Sequence, residues 1–241
     1  LLQAVARLDP GEARLSLEAA GDRLEALGYL DPQGAIRHLQ ALTSGVSRRA
    51  AIQRTLLPVM LGWFADAPDP DSGLLGFRRV SDELGSTHWY LGLLRDESTA
   101  AERLARILGT SRYLTGLLLH APDSVGLLAH DSELEARSAD ALLAEVAAVI
   151  DRHESPDQAV AAIRAMRRRE LFRNGAATVL LSPDPQVSGP ALSAVAGAAL
   201  QGALDVARMD VDGADEVAFT IVGMGRLGGG ELGFGSDVDV M

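Results

Sequence analysis

Gly223-Met224-Gly225-Arg226-Leu227-Gly228-Gly229-Gly230-Glu231-Leu232-Gly233-Phe234-Gly235-Ser236-Asp237-Val238-Asp239-Val240 is the stretch on which the reading of this chain turns. It follows Val217-Ala218-Phe219-Thr220-Ile221-Val222, a short apolar run that reads as a buried strand. Gly223, Gly225 and Gly228 match the dinucleotide-binding spacing G-x-G-x-x-G. That spacing works only if a helix begins inside the glycine run, so that its N-terminus can hold a pyrophosphate. Glycine fills five of the eight positions 228–235, and each costs a helix about 1 kcal/mol against alanine. A stable helix is not expected there, and the dinucleotide reading is set aside.

Asp237 and Asp239 support a different account. They alternate with Val238 and Val240, a strand with period 2 that puts both carboxylates on one face and both valines toward a core. Two adjacent hard oxygen donors suit Mg²⁺, which shares its coordination with substrate phosphates. Gly235-Ser236, just before the pair, lets the backbone approach a triphosphate closely and adds a hydroxyl donor. A strand, a glycine-rich turn and D-x-D on a second strand form the layout of a two-metal phosphoryl or nucleotidyl transfer site. Asp237 and Asp239 are thus the candidate catalytic and metal-binding residues, and Gly225, Arg226, Gly235 and Ser236 the candidate nucleotide contacts. Arg226 either reaches the triphosphate or pairs with Glu231 across the loop.

Upstream, the chain reads as helices with clear punctuation. Asp31-Pro32 is a cap followed by a helix-starting proline. Ile52, Leu56, Leu57, Met60, Leu61 and Phe64 form an apolar stripe, with a kink predicted at Pro58. Residues 67–71 read as a loop. Leu104, Ile107 and Leu108 form a second stripe, and Leu114, Leu117 and Leu118 a third, separated by a break at 109–111. Ser132 with Glu135 fits a capping box ahead of Leu142, Leu143, Val146 and Ile150. Ser155-Pro156 starts a helix expected to run through Arg173, where Asn174-Gly175 interrupts it. Arg164, Arg167, Arg168, Arg169 and Arg173 read as a solvated face. Leu181-Ser182-Pro183-Asp184-Pro185 is a linker, followed by an alanine-rich helix over 190–208. Trp63, Trp89 and Tyr90 are expected in the core.

Composition narrows the chemistry. The 241 residues include no Cys, which removes thiolate nucleophiles and cysteine-ligated zinc and fits a cytoplasmic setting. All 22 basic residues are Arg, so neither a Walker A lysine nor a Schiff-base lysine is present. The five histidines lack the spacing of a zinc site. A net charge of −11 argues against nucleic acid as a partner. No run of 18 uninterrupted apolar residues occurs, so no membrane partner is expected. The chain opens on Leu1 and stops at Met241 within an unfinished apolar–acidic alternation, so an internal piece of a longer protein is expected.

The run 223–241 closely resembles the signature of the glutamine synthetase adenylyltransferase family, which are polymerase-β-like nucleotidyltransferases. PII uridylyltransferases have a similar motif with a shorter glycine turn, and the Leu227-Gly228-Gly229 spacing favours the adenylyltransferases. Residues 27–61, 69–79, 89–96 and 167–173 are similar, less specifically, to the helical region ahead of the family's C-terminal, adenylylating domain. The resemblance implies a mainly α chain: a helical region over 1–184, then the start of an α+β catalytic domain over 188–241. It implies transfer of AMP from ATP to a tyrosine of glutamine synthetase with Mg²⁺, and regulation by a PII signalling protein and glutamine. It also implies a third carboxylate on a later strand beyond Met241, so the piece alone is expected to transfer no AMP. Phosphorolytic removal of AMP by the family's other domain, or a non-catalytic helical interaction module, are the alternative readings.

Overall fold

Side-chain caps fix the start of several helices in this protein. The computed structural model describes residues 17–85, 87–209 and 211–241, which divide into two units, Leu1–Glu133 and Leu134–Met241. In the first unit the helices are α1 (Leu17–Ala26), α2 (Pro32–Thr43), α3 (Arg48–Ala65), α4 (Pro70–Leu84), α5 (His88–Asp96), α6 (Ser98–Thr110) and α7 (Arg112–His120). Asp31, Ser47, Asp69 and Ser111 each accept a hydrogen bond from a first-turn backbone N–H, at 2.8–3.2 Å. The loop predicted over 67–71 therefore ends early: Asp69-Pro70 is a second cap-plus-proline start, built like Asp31-Pro32. Ser111 marks the predicted break between α6 and α7.

Leu57, Met60, Leu61 and Phe64 of α3 are buried with Leu74, Phe77 and Val80 of α4 and Leu104, Ile107 and Leu108 of α6. The Phe64 and Phe77 rings meet at 6.3 Å. Pro58 lies inside α3, which stays a single element from Arg48 to Ala65. Tyr90 is fully buried, with its hydroxyl hydrogen-bonded to Ser81 at 2.9 Å. Trp89 departs from expectation: it is 41% exposed and sets its ring edge-on to Tyr90, because its place on α5 faces away from the buried Tyr90 and Leu94.

The second unit is built on α8 (Ala139–Asp151), α9 (Pro156–Leu181) and α10 (Pro185–Met209). Leu142, Val146 and Val149 of α8, Ala159, Ile163 and Met166 of α9, and Val195, Ala198 and Val206 of α10 form its core. Three expectations are corrected. The cap of α8 is Ser138, which accepts from Ala141 N at 3.2 Å, while Ser132 lies in a 3₁₀ turn. Helix α9 does not stop at Arg173 but continues to Leu181. Gly175 is buried, and the Asn174 amide donates to Glu170 O at 2.8 Å, so packing overrides weak local propensity. The arginine run is only partly solvated, for α9 also carries a buried carboxylate.

That carboxylate is Glu170, with no exposed side-chain surface. Its oxygens accept from Arg173 Nε at 2.9 Å and from Arg169 Nε at 3.3 Å, with the Arg137 guanidinium at 3.5 Å. Glu145 completes the group, accepting from Arg137 and from Arg169 at 2.7 Å. Burial works to raise the Glu145 carboxyl pKa, but the hydrogen bonds from Arg137 and Arg169 outweigh it and hold the group below its ordinary value.

Helix α10 carries a stretch, Gln186–Met209, long and apolar enough by length and composition to cross a membrane. One face of it, Ala191, Leu192, Val195, Ala196, Ala198 and Val206, is buried. Among the described residues no strand forms. Residues 217–222 form no strand and are mostly exposed, with Val217 at 60% and Phe219 at 58% and Ile221 partly covered, so the predicted buried strand is not seen.

Two outcomes follow from these contacts. The Ser72 backbone N–H, and then Arg112, hold the Asp69 carboxyl below its ordinary value of 3.8. A carboxyl lowered on folding adds stability above its ordinary pKa, and that stability is lost as pH falls through the folded value. Asp69→Asn, which keeps the capping oxygen, should match the parent within about 1 kcal/mol at pH 7 and flatten the loss of stability below pH 3.8. Asp69→Ala should cost about 0.5–2 kcal/mol at neutral pH. Urea denaturation at several pH values measures both. In the second unit, Glu170→Gln removes the buried charge on which Arg137, Arg169 and Arg173 converge and should cost about 3–5 kcal/mol in the same assay.

Candidate functional site

The glycine run folds back on itself. A single antiparallel bridge joins Gly223 to Val240, supported by Val222 N→Met241 O at 2.9 Å, Met241 N→Val222 O at 3.0 Å and Met224 N→Asp239 O at 2.9 Å. Between the two arms, Gly225–Gly228 makes one helical turn, α11, closed by Gly228 N→Met224 O and Gly229 N→Gly225 O. The sequence argument did not expect a helix here, and only four residues form one. The chain leaves it at Gly230, in the left-handed region, and Glu231 N returns to Arg226 O at 2.8 Å.

The fold-back brings the predicted residues together in two groups. Gly225 has φ +50°, a backbone conformation that favours glycine, and a Cβ there would sit 2.8 Å from Asp239 Oδ2. The Asp239 carboxylate therefore lies directly over the Gly225 backbone. The Arg226 guanidinium lies near Gly233, 3.9 Å from where a Cβ there would sit, and Ser236 closes on Gly233 from the other side. Gly233 N donates to Ser236 Oγ at 2.9 Å, and Ser236 N donates to Gly233 O at 3.1 Å. The Ser236 hydroxyl thus accepts from the backbone and keeps its own proton to donate outward. Gly235 is exposed, with open space around its Cα.

Asp237 and Asp239 are exposed, and no ion pair ties either to another described residue. Nor does one join Arg226 to Glu231. The valines do not enter a core as the strand pattern predicted: Val238 is 36% and Val240 46% exposed. One bridged pair, with no described strand or helix laid over it, leaves both faces open to solvent. Among the described residues no group of three or more His, Asp or Glu side chains comes close enough to enclose a metal ion.

Sequence reasoning missed the seat of this loop. Leu232, 6% exposed, is its buried anchor, and its N–H donates to Ser193 Oγ of α10 at 3.3 Å. One turn earlier on α10, Gly189 lies against the backbone of Gly230 and Glu231. A groove of about 650 Å³ opens between these elements, walled by Thr178, Gln186, Ser188, Glu231 and Phe234. A second groove, of about 370 Å³, runs between Leu200 and Leu204 of α10 and Phe219 and Ile221. The four-residue spacing of Gly189 and Ser193 was visible in the sequence, but nothing there tied it to a loop 39 residues away.

The chain as a whole is similar to known proteins. The family model described as Glutamate-ammonia ligase adenylyltransferase matches residues 101–241. The whole chain is 52% identical to a bifunctional glutamine synthetase adenylyltransferase/adenylyl-removing enzyme of Streptomyces coelicolor, covering 26% of that protein. It is 51% identical to the protein of the same description in Leifsonia xyli, covering 24% of it. Over 94% of its length it is 44% identical to the one in Mycobacterium tuberculosis, covering 23%. The chain thus spans about a quarter of the length of the curated relatives it matches. It belongs to the glutamate-ammonia ligase adenylyltransferase family.

Proposed function

We infer that this chain supplies the nucleotide-handling edge of a transferase that moves AMP from ATP to a tyrosine hydroxyl of glutamine synthetase. The observation that carries the reading is the fold-back that sets the Asp239 carboxylate against Gly225, with Arg226 and Ser236 gathered at Gly233. In this reading the helical residues 1–184 lead into the start of an α+β catalytic domain at 188–241. A PII signalling protein regulates the enzyme in the cytoplasm, with neither nucleic acid nor membrane as partner.

The chemistry needs little more than positioning and charge. The tyrosine oxygen forms a bond to the α-phosphorus, the bond to the bridging oxygen breaks, pyrophosphate leaves, and the hydroxyl proton is lost. The exposed glycine at 235, with open space where a Cβ would sit, admits phosphate oxygens to the backbone, the Ser236 hydroxyl donates to them, and Arg226 adds a permanent positive charge. Asp237 and Asp239 are two hard oxygen donors, exposed and not neutralised by a described cation, which matches a Mg²⁺ held by one or two carboxylates plus substrate phosphates. When bound, Mg²⁺ would offset triphosphate charge and favour the ionised hydroxyl. In the alternative reading, in which the chain belongs to the family's AMP-removing domain, these residues would serve a site of the same type with inorganic phosphate as the attacking group.

Two measurements on the full-length protein test this. Asp237→Asn and Asp239→Asn should each lower AMP incorporation into glutamine synthetase by on the order of 10²–10³-fold, with unchanged melting. Near-normal turnover in either would remove the acid pair from the mechanism, and loss of phosphate-dependent AMP release alone would favour the removing reaction. In calorimetric titration ATP with Mg²⁺ should bind and NAD should not. Tight, metal-independent NAD binding would restore the dinucleotide reading.

A further inference from the structure

We propose that Gly189 and Ser193 of α10 are positioning residues for AMP transfer, setting the glycine-rich loop in register with its carboxylates. The inference rests on the function proposed above. It starts from a backbone-to-backbone approach. A Cβ at Gly189 would lie 3.2 Å from both Glu231 Cα and Gly230 O, tighter than ordinary contact, and neither atom belongs to a side chain that could swing away. One turn on, the Ser193 hydroxyl accepts from Leu232 N, and Leu232 is buried.

From this seat the geometry runs through backbone hydrogen bonds to the candidate chemistry. Glu231 N holds Arg226 O at 2.8 Å, Gly229 N holds Gly225 O at 3.1 Å, and Gly225 lies beneath the Asp239 carboxylate. Met224 N holds Asp239 O at 2.9 Å and closes the ring. Within the loop, Glu231 to Arg226, Gly229 to Gly225 and Met224 to Asp239 are backbone hydrogen bonds, so a shift of Glu231 is passed to Arg226 and to the Asp239 backbone with little slack. Phosphoryl-group transfer is sensitive to such shifts, since a misplacement near 1 Å costs about 10²-fold in rate.

The test uses the full-length protein. Gly189→Ala pushes the loop backbone by a few tenths of an ångström, and Ser193→Ala removes the acceptor of Leu232 N–H. Each should lower kcat for AMP transfer about tenfold, change the KM for ATP less, and leave Tm in place. Ser193→Thr, which keeps the hydroxyl, should restore kcat. Gly197→Ala on the same helix, where a Cβ meets nothing within 4 Å, is the control and should match the parent. Amide hydrogen exchange over residues 225–233 should quicken in Gly189→Ala and Ser193→Ala alone. The proposal is overturned if both variants keep kcat within twofold while Asp239→Asn is inactive. It is equally overturned if they lose Tm while the folded fraction turns over normally. Should Asp239→Asn stay active, the reading of the acid pair fails by itself. Amide exchange then decides the seat: faster exchange upholds it and unchanged exchange overturns it.

Discussion

The place a Cβ would take at Gly189 faces the backbone of Gly230 and Glu231, and the second unit is arranged to keep it so. A glycine-rich segment has little side-chain surface to bury and a large conformational entropy to lose. Something outside it must fix its path. Here that is helix α10, through one backbone contact, one serine hydroxyl and the single buried side chain of Leu232. Helix α10 can serve because its buried face is itself held by Leu142, Val146, Ile163 and Met166 from α8 and α9.

Charge is handled in opposite ways at two places in this unit. Glu170 is fully buried and would be costly without partners, so Arg137, Arg169 and Arg173 converge on it and Glu145 balances part of their charge. The group ties the segment before α8 to the middle of α9, where the sequence alone showed only a basic run. Asp237 and Asp239 are exposed and joined to no described cation, so water alone screens them. A buried, neutralised carboxylate holds structure together, and an exposed, unneutralised pair is what a hard cation and a triphosphate require. The two kinds of acid are distinguished by burial, which the pattern of residues does not reveal.

Much of this was legible where the signal is local. Asp31-Pro32 named a helix start because capping involves residues three apart, and the Leu104–Leu108 stripe named a buried face. The same logic at Asp69-Pro70 was obscured by a second proline nearby, which made a cap look like a loop. Ser132 and Glu135 had the spacing of a capping box, but Ser138 stands closer to the apolar run and caps it. Asn174-Gly175 looked like a stop, and packing carries α9 through it. In the candidate site, the glycine turn was legible as a fold-back that brings Gly225 and Asp239 together only once the bridge between Gly223 and Val240 is seen. Val238 and Val240 were placed in a core because alternation says which side chains share a face, not whether anything covers that face. Ser193 stayed hidden because its partner is distant in sequence.

The apolar character of α10 follows from the same demands. One face of the helix packs against α8 and α9, and its first turns carry the glycine segment, while positions such as Val187, Gly197 and Met209 stay exposed. Close approach on the buried face favours Ala, Gly and Val over long polar side chains, which raises the mean hydropathy of the helix. Its buried residues, Ala191, Leu192, Val195, Ala196, Ala198 and Val206, are the ones internal packing needs. Gly189 belongs to that same economy of size, since a Cβ there would press on the loop backbone, while Ser193 serves through its hydroxyl. Gly189 and Ser193 thus stand at one end, and the Asp239 carboxylate at the other, of a short series of contacts in which most links join backbone atoms.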